Sequence, residues 1–156
     1  MTYVLDSGPL IIMFRHYYPE RFPSLWQRFD AMVETGELVS VSEVAKELEG
    51  QEDRLSEWVD DNKAFFQKPT VPEMEFVARI FEVPHFQGLI RQQERLQGKP
   101  VADPFVIAKA ARLGDGCVVS SERFKENAAK IPNVCDHFGV AHLDLETFME
   151  RENWTF

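Results

Sequence analysis

Short apolar runs alternate with amphipathic segments along the whole chain. The apolar, β-prone runs predict strands over residues 2–6, 38–41, 117–120 and 139–143. Apolar positions at helical spacing predict helices over residues 24–35, 42–49, 51–66, 73–81, 103–113 and 144–151, with a further amphipathic segment over 88–97. Strands that alternate with helices in this way are typical of an α/β fold with a central, mostly parallel sheet flanked by helices.

Turn and capping residues divide these segments. Ser24 and Ser42 are predicted to cap the helices that follow them, and Gly36 is predicted to end the first of those helices. The stretch 11–18 is apolar and aromatic, and residues 130–133 are predicted to form a loop or a short extended link because they contain a proline.

The length and composition predict a single domain over residues 1–156, of ordinary globular type, with 44% hydrophobic and 28% charged residues. No apolar run reaches 18 residues, so no membrane-spanning helix is expected. The first residues lack the features of a signal peptide. Cys117 and Cys135 have no C-x-x-C spacing, so we expect two reduced thiols and a cytoplasmic location.

The net charge of −9 argues at first against a nucleic-acid partner. The charge is unevenly distributed, however, because residues 79–130 hold nine basic and six acidic side chains. Residues 34–61 hold ten acidic and two basic side chains, which is either solvated surface or a docking face for a basic protein. A local basic face on an acidic molecule is therefore compatible with the sequence.

Acidic residues recur where strands end and buried helices begin. Asp6 ends the first strand, Asp103 opens the most apolar helix and Glu122 follows the strand over 117–120. Glu43 and Glu47 lie one turn apart on another helix. Each acid alone could be a helix cap or solvated surface, but acids from separate elements at one sheet edge predict a site for Mg²⁺ or Mn²⁺.

Four segments that carry these acids resemble the PIN-domain family. They are Tyr3-Val4-Leu5-Asp6-Ser7, Val41-Ser42-Glu43-Val44-Ala45-Lys46-Glu47-Leu48, Ala102-Asp103-Pro104-Phe105-Val106-Ile107-Ala108-Lys109-Ala110 and Val118-Val119-Ser120. The region from Lys130 to Val140 is similar to one PIN-like branch, the DUF4411 type, which is often associated with bacterial toxin–antitoxin loci. The resemblance implies a three-layer α/β fold and a ribonuclease that depends on Mg²⁺ or Mn²⁺.

The resemblance also implies a set of catalytic, metal-binding residues. Asp6, Glu47 and Asp103 match the family's acids, and Glu47 matches better than Glu43. The fourth acid of the family is usually an aspartate, and this chain offers Glu122 near that place. These four would bind the metal and activate water for hydrolysis of a phosphodiester bond.

Further residues are candidates for contact with the RNA. Ser7 and Ser120 lie beside the acids in sequence, and Arg15 and Lys109 could contact phosphates, as could Arg112, Arg123 and Lys125. Tyr17 and Tyr18 could stack on unpaired bases or could pack in the core.

The sequence leaves three functional hypotheses. The first is a metal-dependent endoribonuclease of toxin type, whose partners would be RNA, an antitoxin or DNA-binding protein, and a second copy in a homodimer. The second is a catalytically incomplete PIN-like module that acts by binding protein or RNA, since the fourth aspartate is missing. The third is cleavage of DNA, which the same acids could serve.

Overall fold

The computed structural model describes residues 1–49, 54–89 and 101–156. The strands are β1 Thr2–Leu5, β2 Leu38–Val41, β3 Phe66–Gln67, β4 Gly116–Val119 and β5 Ala141–Leu143. The described α-helices are α1 Ser7–His16, α2 Pro23–Thr35, α3 Ser42–Leu48, α4 Arg54–Asp61, α5 Val71–Glu82, α6 Asp103–Arg112, α7 Ile131–Phe138 and α8 Leu145–Arg151. Most of the amphipathic segment predicted over 88–97 lies outside the described residues, as do residues 51–53 of the predicted fourth helix.

The five strands form one sheet in the order β3-β2-β1-β4-β5, and every pair is parallel. The helices flank this sheet in a three-layer α/β arrangement, which confirms the predicted fold class. Strands β2 and β3 lie on one side of β1, and strands β4 and β5 lie on the other side. The order of the strands therefore reverses between β1 and β4, where open α/β sheets bind their ligands.

The central strands are buried on both faces. Every residue of β2 is buried, and so are the last three residues of β1 and of β4. Burial on both faces explains why the strands consist of near-continuous apolar runs rather than alternating patterns. Gly116 at the start of β4 allows α6 to pack closely, because a Cβ atom there would lie 2.6 Å from the Cα atom of Ala110.

Two helices that were not predicted begin beside a proline. α1 begins at Ser7 with Gly8 and Pro9 in its first turn, and it includes most of the apolar and aromatic stretch 11–18. α7 occupies residues that we predicted to be a loop or extended link, with Pro132 in its first turn. Both differences have the same cause, because the missing N–H of proline costs nothing in the first turn of a helix.

Three smaller predictions are also corrected. Helix α2 begins at Pro23 without a side-chain cap from Ser24, and Ser42 is the first residue of α3 rather than its cap. Helix α4 ends at Asp61, whereas the pattern predicted a helix as far as residue 66. The chain then forms a 3₁₀ turn, Lys63–Phe65, and the short strand β3, because the aromatic residues there are buried against the sheet edge.

Cys117 and Cys135 are both buried and free, as predicted. Burial raises the pKa of both thiols, so they are inert under ordinary conditions. Of the helices in the described ranges, none has the length and apolar character needed to cross a membrane.

Candidate metal centre at the switch point of the sheet

The carboxyl ends of β1 and β4 meet at the point where the strand order reverses. The backbone N–H of Asp6 donates to the carbonyl oxygen of Val119 at 2.9 Å, which extends the pairing of β1 with β4 by one residue. The backbone N–H of Ser120 donates to Leu143 at 3.0 Å and extends the pairing of β4 with β5. Asp6 and Ser120 therefore lie at the same edge of the sheet.

Asp6 carries a carboxylate that the fold buries without using it as a cap. Its exposure is 6%, and it occupies the N-cap position of α1 without a side-chain hydrogen bond to that helix. Its Oδ1 atom is buried and has no hydrogen-bond partner among the described residues. A buried acceptor in this state is costly, so the capping explanation for Asp6 does not account for its presence.

Asp103 and Glu47 come together at the start of α6. Ala102 is the N-cap residue of this helix and Asp103 is its first residue, so Asp103 does not cap the helix as its position before Pro104 suggested. The backbone N–H of Ala102 donates to Oε1 of Glu47 at 3.0 Å. This bond joins α3 to the start of α6 and holds the Glu47 carboxylate beside Asp103.

The structure separates the two candidate glutamates of α3. Glu43 is buried, and both of its carboxylate oxygens accept from the hydroxyl of Ser42, at 2.9 and 3.0 Å. Glu47 instead lies close enough to Asp6 and Asp103 to raise the pKa of both carboxyl groups. Glu47, and not Glu43, belongs to the group of acids at the sheet edge.

Glu122 reaches the same group from the loop after β4, and it also has a structural partner. Its carboxylate raises the pKa of Asp6, Glu47 and Asp103. Its Oε2 atom accepts a hydrogen bond of 2.7 Å from the backbone N–H of Ile131, the first residue of α7. We call Asp6, Glu47, Asp103 and Glu122 the acid cluster.

Burial and mutual repulsion raise the pKa values of Asp6, Glu47 and Asp103. The pKa of Asp6 is raised to about 7, first by burial and then by Glu47 and Glu122, although the Ser7 amide lowers it in part. Burial also raises the pKa of Asp103 well above its ordinary value, and the carboxylates of Asp6, Glu122 and Glu47 add to the effect. Burial raises the pKa of Glu47 as well, while the Ala102 amide and the Ser7 hydroxyl lower it.

The composition of the acid cluster fits a hard divalent cation. No ion pair within the described ranges involves any of its four carboxylates. Nor are three or more Asp, Glu, His or Cys side chains of those ranges already arranged to ligate one ion, so ligation requires side-chain rotation. An all-oxygen donor set, an unpartnered Oδ1 on Asp6 and mutual repulsion are each what bound Mg²⁺ or Mn²⁺ would satisfy.

Gly8 allows the loop after β4 to approach the start of α1. A Cβ atom on Gly8 would collide with Oγ of Ser121 and would lie 2.9 Å from the Cβ atom of that serine. Only glycine leaves room for Ser121 at this position, so the close approach that brings Glu122 to Asp6 depends on it.

The four residues predicted to contact the substrate have different environments in the structure. Ser7 faces Glu47, and Ser120 is buried at the end of β4. Arg15 is exposed in the last turn of α1, about 12 Å along the helix from Ser7. Lys109 is 7% exposed, and its Nζ atom pairs with Oε2 of Glu73 at 3.5 Å, so it is not available to a phosphate. The prediction for Lys109 is therefore corrected.

A family model described as a domain of unknown function, DUF4411, matches residues 3–156. The chain belongs to the DUF4411 family. This confirms the resemblance to the DUF4411 type, and the match covers the whole sheet except Thr2, the first residue of β1. The description of DUF4411 names no activity, so the wider resemblance to PIN domains stays a prediction. No curated protein matches the chain.

Several groups that shape the site of this DUF4411 chain were not identified from the sequence. The amides of Ala102 and Ile131 fix two of the four carboxylates, and backbone groups carry no sequence signal. Ser40, fully buried in β2, donates its hydroxyl to the carbonyl oxygen of Leu5 at 2.6 Å, just before Asp6. A polar residue inside an apolar strand was the available signal for Ser40.

Proposed function

We propose that this DUF4411 protein is a metal-dependent nuclease that hydrolyses RNA phosphodiester bonds. The observation that carries the proposal is the acid cluster, in which separate elements bring four carboxylates to the switch point of a parallel sheet. Repulsion between buried carboxylates destabilises the fold unless a cation binds them or a proton neutralises one of them. A binding site for Mg²⁺ or Mn²⁺, at the sheet edge where this fold usually binds ligands, accounts for the clustering of the four carboxylates and offsets their repulsion.

In the proposed site Asp6, Glu47 and Asp103 hold the ion. A bound divalent ion would supply a water of lowered pKa and would neutralise charge that develops on the phosphate oxygens. The chain itself orients the ligands: the Ala102 amide fixes Glu47, and the backbone pairing with Val119 fixes Asp6. Catalysis of this kind depends on positioning and electrostatics rather than on a covalent intermediate.

Metal binding is expected to compete with protons at Asp6. Because the pKa of this carboxyl is about 7, a large part of the metal-free protein carries a proton there at neutral pH. Ligation requires the carboxylate form, so a proton leaves when the ion binds. We therefore expect the metal affinity to increase from pH 6 to pH 8. For each proton released on binding, the increase is on the order of tenfold for each pH unit.

The hydrogen bond of Glu122 supports a second candidate function. A carboxylate whose Oε2 atom is taken by Ile131 is partly occupied by a structural role, and the usual aspartate is absent. The second candidate is a PIN-like module that binds RNA or a partner protein without cleaving RNA. Its acidic stretch over 34–61 would suit a basic surface, such as that of an antitoxin or a DNA-binding protein.

The proposed function implies a cytoplasmic setting in which RNA is present and thiols stay reduced. The free, buried state of Cys117 and Cys135 supports such a setting. On the basis of the resemblance to toxin-type PIN domains, we also propose a homodimer. Sedimentation of the purified protein would detect it.

Cleavage of a mixed-sequence single-stranded RNA tests the proposed function. The purified protein is incubated with Mn²⁺, with EDTA, and with Mn²⁺ after the substitution Asp103→Asn. We expect cleavage only in the first reaction. Glu47→Gln and Glu43→Gln form a matched pair one helical turn apart. We expect loss of activity only for Glu47→Gln, since among the described residues the Glu43 carboxylate bonds only to Ser42.

The outcomes separate the candidate functions. Folded wild-type protein that never cleaves RNA would favour the binding module, and equal loss of activity in both glutamate variants would contradict the assignment of Glu47. Cleavage of DNA of equal sequence at the same rate would show that the enzyme does not require the 2′-hydroxyl group.

A further inference from the structure

The loop that follows Glu122 exposes an aromatic ring between two cationic side chains. Phe124 is 59% exposed, and Arg123 and Lys125 on either side of it are also exposed. Single exposed apolar side chains are common on protein surfaces, so the informative feature of Phe124 is its position between two cations in the loop that begins at the acid cluster. The loop begins at the acid cluster, and two residues of chain place the Cα atom of Phe124 within about 7 Å of that of Glu122.

The backbone directly after Phe124 is held in place by two hydrogen bonds. The carbonyl oxygen of Lys125 accepts from the side-chain amide of Asn133 at 2.6 Å and from the N–H of Ala128 at 3.1 Å. Before Phe124, the side chain of Arg123 lies near the carboxylate of Asp144, whose pKa is lowered mainly by hydrogen bonds from Thr147 and to a smaller extent by Arg123. The loop is therefore fixed directly after the ring, which reduces the entropy lost when a ligand covers Phe124.

Other exposed aromatic side chains lack this combination. Tyr18 is 46% exposed, but the guanidinium of Arg54 covers its ring at 4.9 Å, and Tyr17 packs against Phe22 with ring centroids 5.1 Å apart. Tyr17 is therefore partly buried and packs within the protein, whereas Tyr18 is exposed and is not part of the core. Phe156 is 57% exposed, similar to Phe124, but it has no cationic neighbour in sequence. It lies four residues after Glu152, whose carboxylate accepts a hydrogen bond from the Tyr3 hydroxyl in β1.

We infer that Phe124 is a substrate-contacting residue that stacks on an unpaired base next to the scissile phosphate. Arg123 and Lys125 bind the flanking phosphates, so the loop selects single-stranded over duplex RNA. Aromatic stacking beside cationic side chains is how proteins hold single strands, and a base inside a duplex does not offer its face. The inference rests on the proposed function, because it takes RNA as the ligand of this edge.

RNA binding in EDTA tests the inference separately from cleavage. Fluorescence anisotropy gives the affinity of a short single-stranded RNA, of the same strand in a duplex, and of an abasic version. We expect Phe124→Ala to weaken single-strand binding about tenfold and Phe124→Trp to preserve it. Phe124→Ala should leave duplex and abasic binding unchanged, and Phe156→Ala should leave all three affinities unchanged.

Three results would overturn the inference. They are unchanged single-strand affinity in Phe124→Ala, an equal loss with abasic RNA, and no RNA binding by the folded wild-type protein in either EDTA or Ca²⁺. Thermal unfolding of each variant checks that the loop change leaves the fold intact. If RNA is cleaved but Phe124→Ala has no effect, the inference fails alone; if stacking is found without cleavage, the proposed nuclease function fails alone.

Discussion

The protein buries charge in two places and treats the charge in opposite ways. Between α5 and α6, Glu73 accepts from the hydroxyl of Thr70 at 2.7 Å and pairs with Lys109 at 3.5 Å. At the sheet edge, the acid cluster brings together four carboxylates that form no ion pair within the described residues. Both regions include the helix α6, at its first residue and at its seventh.

The difference shows which buried charges serve the fold and which do not. A buried pair with its hydrogen bonds made is compatible with stability, whereas buried like charges without a partner oppose it. Hydrogen bonds to the Ala102 and Ile131 amides give Glu47 and Glu122 a structural role, but the described packing gives no such reason for the buried Oδ1 of Asp6. The cost of the acid cluster is understandable if the site exists to bind a cation, because functional sites commonly reduce stability.

Breaking the compensated pair is expected to have the largest effect. Lys109→Met leaves the Glu73 carboxylate buried without its cation, and we expect a loss of about 3–5 kcal/mol in the free energy of unfolding. Urea denaturation at pH 7 measures it. The double variant Lys109→Met with Glu73→Gln should recover much of the loss, because no buried charge remains.

The matched control is an exposed pair between the same two helices. Arg112 lies 4.0 Å from Glu75, and both side chains are well exposed. Arg112→Met should change the free energy of unfolding by about 1 kcal/mol or less. Similar losses for Lys109→Met and Arg112→Met would contradict the contrast between the buried and the exposed pair.

Enlarging Gly8 is expected to disturb the acid cluster from the backbone side. Gly8→Ala forces Ser121 away from the start of α1, and we expect a loss of about 1–3 kcal/mol in the free energy of unfolding together with loss of metal-dependent activity. Ser121→Gly removes the colliding atoms. The double variant should therefore regain stability; a double variant as unstable as Gly8→Ala would refute the predicted collision.

Removing charge from the acid cluster should stabilise the protein when no metal is present. The pKa of Asp6 rises from 3.8 in the unfolded chain to about 7 in the folded protein. Between these values the folded state binds more protons, so the free energy of unfolding in EDTA falls as pH rises towards 7. Asp6→Asn should abolish activity, weaken this pH dependence and add about 1–2 kcal/mol at pH 8. Denaturation at pH 5 and pH 8 measures the effect, and an Asp6→Asn protein less stable than wild type at pH 8 would contradict it.

The smallest expected effects concern single exposed cations. Arg123 precedes Phe124 in the loop beside the acid cluster, whereas Arg15 lies at the far end of α1. Arg123→Gln should weaken RNA binding and reduce the salt dependence by about one phosphate contact, while Arg15→Gln should change neither. Affinities measured across a salt series distinguish the two, and a larger effect for Arg15→Gln would shift the binding face away from the loop.

The sequence predicted the strands of the sheet core well because burial on both faces produces continuous apolar runs. It failed at β3, where two residues carry too little pattern, and at α7, where Pro132 was taken as an interruption. Proline and glycine mark both the ends of strands and the first turns of helices. The chain alone does not distinguish these uses, because the decision depends on what the next residues pack against.

The candidate site was predictable in its acids but not in their surroundings. The strand ends at Asp6 and before Glu122 located two carboxylates, since parallel strands deliver their ends to one edge. The pairing of Lys109 with Glu73 could not be foreseen, because the two residues lie 36 positions apart and meet only through the packing of α5 on α6. The choice between Glu43 and Glu47 likewise depended on the Ala102 amide.

Titration calorimetry with Mn²⁺ at pH 7.5 tests the central claim most directly, because it measures the acid cluster without assuming a substrate. We predict saturable binding to the wild-type protein with release of protons, and no measurable binding after Asp103→Asn in a protein that is still folded. Wild-type protein that binds no Mn²⁺, or an Asp103→Asn variant that binds it with unchanged affinity, would contradict the assignment of this cluster as a metal centre.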